Sequence, residues 1–187
     1  MEKIPKFMRK RKSFVAGIRQ LVDYTMLNEI EMVEVGSYAG ESAELFVGTG
    51  KIKEIVCVDP WENGYDKSDG GSERRSMKEV EKIFDKRMEN SCKGKYRKIK
   101  GTSEEASTIF KDQSLDLVYI DGNHQYKAVS LDIKKWLPKV KSGGYISGHD
   151  WSRDGVKRAI EESIGTPCST FSDDSWIASV DKLRGDQ

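Results

Sequence analysis

Both histidines of this 187-residue chain stand close to an aspartate, in Asp121-Gly122-Asn123-His124 and in Gly148-His149-Asp150-Trp151. Each block follows an apolar run, Leu115–Ile120 in the first case and Tyr145–Ser147 in the second. A carboxylate at the tip of an apolar strand is costly to bury unless a cation or a ligand hydroxyl satisfies it. An imidazole beside it titrates near neutrality, so Asp121 with His124 predicts a site where a proton is accepted. Asp121 and Asp150 converge if their strands are neighbours. Such oxygen ligands suit Mg²⁺, and His149 joining them shifts the preference toward Mn²⁺ or Zn²⁺. Plainer readings exist: His124 as a surface histidine capping the next helix, and His149 as a substrate contact. No exposed Ser or Cys sits at an elbow turn, so hydrolase chemistry is unsupported.

A second group of residues suits a nucleotide. Glu34-Val35-Gly36-Ser37-Tyr38-Ala39-Gly40 closes another apolar run. Gly36 and Gly40 bracket a strand-to-helix turn where glycine permits positive φ and close approach of a ligand. Their spacing is Gly-x-x-x-Gly, not the Gly-x-Gly-x-x-Gly of dinucleotide binders. Asp59, ending Val-Cys-Val-Asp, can accept from both hydroxyls of a ribose, or it can simply begin an Asp-Pro turn. Ser103 reads either as an adenine contact or as a helix cap.

These residues must be held by strands and helices in alternation. Phe14, Ile18, Leu21, Val22 and Met26 fall at helical spacing from Ser13. Strands are predicted at 30–35, 52–58, 96–100, 115–120 and 145–147, the last one entered by a turn at Gly143-Gly144. Helices begin near Ser42, behind a capping box at Ser76–Glu79, and behind a second at Thr102–Glu105. Val129, Ile133 and Trp136 mark another helix, ended by Pro138. Val156, Ala159 and Ile160 mark the last. Runs 169–172 and 176–180 form a terminal antiparallel hairpin. The fold class is α/β, with a mostly parallel sheet and helices on both faces. In such sheets ligands bind beyond the carboxyl ends of the strands, which is where the acidic residues and histidines gather. Residues 60–75, turn-rich and carrying Trp61 and Tyr65, are the candidate substrate lid.

Residues 1–12 form a basic leader and 13–187 one domain. Lys+Arg 32 against Asp+Glu 31 gives net charge +1, which offers no support to nucleic-acid binding. No apolar run approaches a membrane span, and the N-terminus lacks a signal-peptide core. Cys57, Cys92 and Cys168 show no paired spacing, pointing to free thiols and a cytoplasmic address.

The blocks VEVGSYAGESAELF, VCVDPW and LDLVYIDGNHQYKAVSLDIKKWLPKVKSGGYISGHDW together resemble class I S-adenosylmethionine-dependent methyltransferases. The resemblance runs from about Ile30 to Asp181 and is nearest to the branch of macrocin-type sugar O-methyltransferases and cephalosporin hydroxylase-like proteins. It implies a seven-stranded Rossmann-like sheet with the fourth and fifth strands adjacent. It implies that Glu34, Gly36 and Gly40 hold the methionine part of the cofactor and that Asp59 binds its ribose; Ser37, Ser103 and Asp121 are the further cofactor-binding candidates. It further implies that Asp121 and Asp150 bind a divalent ion in metal-dependent members, and that His124 is the general base. The chain departs from some metal-dependent relatives in carrying His149 before Asp150. The reading that follows is methyl transfer to a hydroxyl of a small molecule such as a sugar or natural product. Nucleic-acid methylation and a non-methylating cofactor-binding relative of the same fold are the alternatives.

Overall fold

Successive strand residues face opposite sides of a sheet, and here both sides are apolar. In β4 (Leu115–Ile120) Leu117 and Tyr119 enter one hydrophobic cluster, while Val118 and Ile120 enter the other. The same alternation separates Ile55 and Cys57 from Val56 and Val58 in β2 (Ile52–Asp59), and Met32 from Val33 and Val35 in β1 (Ile30–Val35). Strands buried on both faces need helices on both, as expected of a parallel sheet.

A computed structural model of the chain describes residues 12–67 and 74–185. β1, β2, β3 (Tyr96–Lys100), β4 and β5 (Val140–Gly148) pair in parallel, and β7 (Trp176–Ser179) runs antiparallel to β5 and to β6 (Ser169–Thr170). The order across the sheet is β3-β2-β1-β4-β5-β7-β6. One face carries α1 (Lys12–Thr25), α2 (Glu41–Val47) and α3 (Met77–Ser91). The other carries α4 (Ser103–Ser107), α5 (Tyr126–Trp136), α6 (Asp154–Ile164) and α7 (Val180–Gly185). The seven-stranded, mostly parallel architecture and the terminal hairpin agree with the sequence reading, and β4 and β5 are neighbours. Among the described residues no helix is long and apolar enough to cross a membrane. Cys57 and Cys92 are buried free thiols and Cys168 a partly buried one.

Four local expectations change. The fifth strand begins at Val140, and Gly143-Gly144 lie inside it as an irregularity: Leu115 pairs with Val140 but Leu117 with Tyr145. Gly143 has φ 77 and donates its N–H to Asp181, so the glycines bend a strand already running. Ser76 occupies the N-cap of α3 without a side-chain cap; Asn63 Oδ1 accepts from Met77 N–H at 3.2 Å instead. The Thr102–Glu105 capping box is formed. A short final helix, α7, follows β7 where the sequence pattern carried the strand on to Val180. Of the basic leader, only Lys12 falls within the described residues, where it opens α1.

The order reverses between β1 and β4, and the chain is tightly folded there. Asp121 N–H donates to Val35 O at 2.8 Å. A Cβ on Gly36, at φ 88, would collide with the backbone of Asp121 and Gly122. Gly36 is therefore required by the crossing of two strand tips. On the other side of the turn, Arg87 of α3 donates to Ala39 O at 2.8 Å and pairs with Glu41 and Glu44 of α2. Both Arg87 and Glu41 are almost fully buried, so this contact pins the first turn of α2 beside the β1 tip.

Candidate active site

A cavity of about 350 Å³ runs along the carboxyl tips of β1, β2, β4 and β5. One end is walled by Gly36, Ser37, Glu41 and Ser42, the middle by Val58, Asp59 and Pro60, and the far end by Ser103 and Asp132. Asp121, His124, His149, Asp150 and Arg153 close its chemical side. Tyr38 and Asp150, both on its wall, hold left-handed backbone (φ 44 and 58), strain that a functional turn retains.

The chemical side is a knot of charge. His124 Nε2 lies 2.7 Å from Asp150 Oδ2 and 3.6 Å from Asp121 Oδ1. Its Nδ1 lies 2.7 Å from Asp66 Oδ2, which also accepts the His124 backbone N–H at 3.1 Å. His149 Nδ1 is 3.5 Å from Asp150 and 3.9 Å from Asp121, while its buried Nε2 has no hydrogen-bond partner among the described residues and its ring meets Phe14 of α1 edge-on. Burial alone would lower the His124 pKa, but the carboxylates of Asp121 and Asp150 push it up to about 10. His149 is raised to about 9 against its own burial by Asp121 and Asp150. Burial works against the Asp150 anion too, yet the two imidazoles hold its pKa far below the usual carboxylate range. The neighbouring carboxylates thus favour the protonated imidazole at His124.

Asp121, His124 and Asp150 each bring one donor atom within 4.8 Å of the others, a separation from which they can share one ion. The trio matches the expected metal group except that His124 takes the place assigned to His149. Two carboxylate oxygens and one imidazole suit Mg²⁺ or Mn²⁺. The cavity also fits an adenosyl amino acid: Ser37 lines it, and among the described residues neither the Ser37 hydroxyl nor the carboxylate of the fully buried Glu34 behind it has a well-aligned partner.

The remaining sequence-derived residues divide. Ser37 and Gly36 line the cavity; Glu34 stands one layer behind, against Ser37 and Ser42. Gly40 is outside the lining: at φ 75 it caps α2, and a Cβ there would press on Phe84 and Met88. Asp59 lines the cavity, while its two oxygens accept from Trp61 N–H (2.7 Å) and Tyr38 N–H (2.9 Å). Burial still raises its pKa to about 6. Ser103 does not cap α4, a role held by Thr102; its Oγ accepts from Trp136 Nε1 at 2.8 Å. Trp61 is no lid residue but a core one, 4% exposed and packed on Phe84. The loop does meet the chemical side, through Asp66 and through Tyr65 O, which accepts from Asn123 Nδ2; residues 68–73 of the expected lid lie outside the described residues.

Sequence reasoning missed Asp66 and Asp132. Asp66 sits in a polar stretch with nothing to mark it. Asp132 stands between the apolar Val129 and Ile133 of a helical stripe, a signal that was legible.

A family model described as a methyltransferase domain matches residues 33–151, from β1 past the β5 tip. The chain belongs to this methyltransferase-domain family. The matched segment contains every cavity residue named above except Arg153. Protein R132 of Acanthamoeba polyphaga mimivirus is 29% identical over 66% of the chain, which spans 52% of that relative's length. The TDP-rhamnose 3′-O-methyltransferase CalS11 of calicheamicin biosynthesis superposes with a TM-score of 0.61 at 12% identity, over 92% of this chain and 80% of that one. A Staphylococcus aureus protein described as a caffeoyl-CoA O-methyltransferase gives 0.60 at 16% identity, over 93% and 84%. Likeness at this level establishes a Rossmann-like methyltransferase fold.

Glu34 provides a stability test of the site. Burial raises its pKa from 4.5 to about 7, the charges of Asp121 and Asp59 adding to the effect and Ser37 and Ser42 opposing it. An acid whose folded pKa is raised stabilises the protein fully below its unfolded pKa and loses that contribution as pH rises through the folded value. Glu34→Gln should therefore match wild type in urea denaturation near pH 4.5. By pH 8 it should gain on the order of 3 kcal/mol over wild type. A constant offset between the two proteins across that range would contradict the burial account.

Proposed function

We propose that this chain transfers a methyl group from S-adenosylmethionine to a hydroxyl group of a small molecule, of the sugar or natural-product class. The observation that carries the reading is the placement of Asp121, His124 and Asp150 at one side of the same cavity that Ser37, Ser42 and Asp59 line. The names of two structural neighbours, CalS11 and the Staphylococcus aureus protein, support oxygen as the acceptor, as does the resemblance to sugar O-methyltransferases. S-Adenosylmethionine, when bound, supplies a methyl group on a sulfonium whose departure leaves a neutral thioether.

The chain has two tasks, alignment and proton removal. Ser37 and Ser42, backed by Glu34, face the amino-acid end of the cofactor, and Asp59 its ribose. The acceptor hydroxyl lies against Asp121, His124 and Asp150. Asp66 fixes the orientation of His124 by holding Nδ1, in the way an outer carboxylate orients a ligating or catalytic histidine. Nε2 then faces Asp150 and the acceptor. That nitrogen holds either a proton or a cation. In the first case the hydroxyl proton passes to the coupled Asp121–His124–Asp150 cluster as a unit. In the second, Asp121, His124 and Asp150 would hold a divalent ion, whose chemistry there would be to lower the pKa of the acceptor hydroxyl.

Two outcomes follow for an assay with radiolabelled S-adenosylmethionine and a panel of sugar and phenolic acceptors. His124→Ala should lower kcat about 10²- to 10⁴-fold while S-adenosylhomocysteine affinity stays close to wild type. Undiminished turnover in that variant would remove His124 from the chemistry. Chelation should reduce turnover at least about tenfold, with Mg²⁺ or Mn²⁺ restoring it; activity indifferent to chelator would leave the protonated cluster as the only acceptor. The nucleic-acid alternative predicts salt-sensitive DNA or RNA binding that the near-neutral net charge does not favour.

A further inference from the structure

Asp132 is a buried acidic side chain of the cavity that neither the chemistry nor the fold uses. It projects from α5, two turns in from the helix start, and is 6% exposed. No Lys, Arg or His among the described residues forms an ion pair with it, whereas Asp121 and Asp150 are shared with histidines and Glu41 with Arg87. Its one polar neighbour is Ser103. Because the Ser103 oxygen already accepts from Trp136 Nε1, its hydroxyl hydrogen is left to donate to Asp132. That relay satisfies one lone pair of a carboxylate that has about four acceptor sites. Asp132 and Ser103 line the cavity together, and because Ser103 follows β3 the strand order puts this pair beyond Asp59 of β2 as seen from Glu34 of β1.

We infer that Asp132 accepts the exocyclic 6-amino group of the cofactor's purine and makes the site selective for an adenosyl over a 6-oxopurine ligand. This inference rests on the cofactor reading above. The chemistry is specific. A buried carboxylate without a cation demands a donor, and a 6-amino group donates where a 6-oxo group only accepts. With Asp132 ionised, at a pH above its raised pKa, a carbonyl oxygen against this carboxylate would leave both acceptors unpaired, and sites built on a buried polar group discriminate strongly for that reason. Burial, opposed in part by Ser103, pushes the Asp132 pKa up to about 7, in keeping with an acceptor that lacks its donor when the cavity holds no ligand. The cofactor's other nitrogen donor, its α-ammonium, belongs at the Glu34 end if Asp59 holds the ribose, so it does not compete for this position.

The test is calorimetric titration with two probes, S-adenosylhomocysteine and its 6-oxo analogue S-inosylhomocysteine. Wild type should prefer the adenosyl compound by about 30-fold or more. Asp132→Ala should fold with an unchanged or raised melting temperature, since it removes a buried, unpaired carboxylate. It should bind S-adenosylhomocysteine about 10- to 100-fold more weakly while binding the inosyl analogue nearly as before. Asp132→Asn, which offers either a carbonyl oxygen or an amide N–H, should bind both with similar affinity. If Asp132→Ala keeps the wild-type ratio of the two affinities, the assignment is overturned while the methyltransferase reading stands. If wild type binds neither compound, the cofactor reading fails and takes this inference with it.

Discussion

Carboxylates buried along one edge of the sheet, without enough cations to neutralise them, are the constraint around which the rest of the structure is organised. Glu34, Asp59 and Asp132 are each less than a tenth exposed, and none has a Lys or Arg partner among the described residues. A soluble fold does not normally accept such groups, because each costs desolvation free energy that hydrogen bonds only partly offset. Their pKa values, raised to between about 6 and about 7, express that cost. A ligand supplying hydroxyl, ammonium and amine donors along the same line would relieve it, and by linkage would stabilise the folded state.

The surrounding fold keeps these groups in place with packing that needs no ligand. Gly36 lets the β1 tip pass under Asp121, Arg87 clamps the start of α2, and the alternating Val, Ile and Leu residues of β1, β2 and β4 anchor the strand ends. The site therefore rides on rigid strand tips, the arrangement in which small differences of side-chain position are best controlled. On the acceptor side the loop before α3 contributes Asp66, against His124, and the Tyr65 carbonyl, against Asn123.

Much of this was legible in the sequence because two periodicities dominate it. Period-two and continuous apolar runs located five strands, and the rule that ligands sit at their carboxyl ends brought Asp59, Asp121, His124 and Asp150 to one cavity before any coordinates. What escaped depended on tertiary partners. Nothing near Asp66 predicts that it crosses to His124, and Trp61 looks like a loop aromatic until it is seen against Phe84. Ser76 carries a good cap signature that Asn63 pre-empts from a distant turn. The upward pKa shift of His124 is only partly visible locally, since Asp121 stands in the same block but Asp150 comes from the next strand. Fold and family leave the acceptor open in any case, because identical scaffolds host different chemistries.

The central claim is that one continuous cavity along the strand tips holds an entire adenosyl amino acid. Crystals of the chain grown with S-adenosylhomocysteine test it most directly. The account predicts electron density with the amino-acid end at Ser37 and Ser42, the ribose at Asp59, and the sulfur turned toward Asp121 and His124. Density for the compound at any other surface, or its absence at saturating concentration, would contradict it.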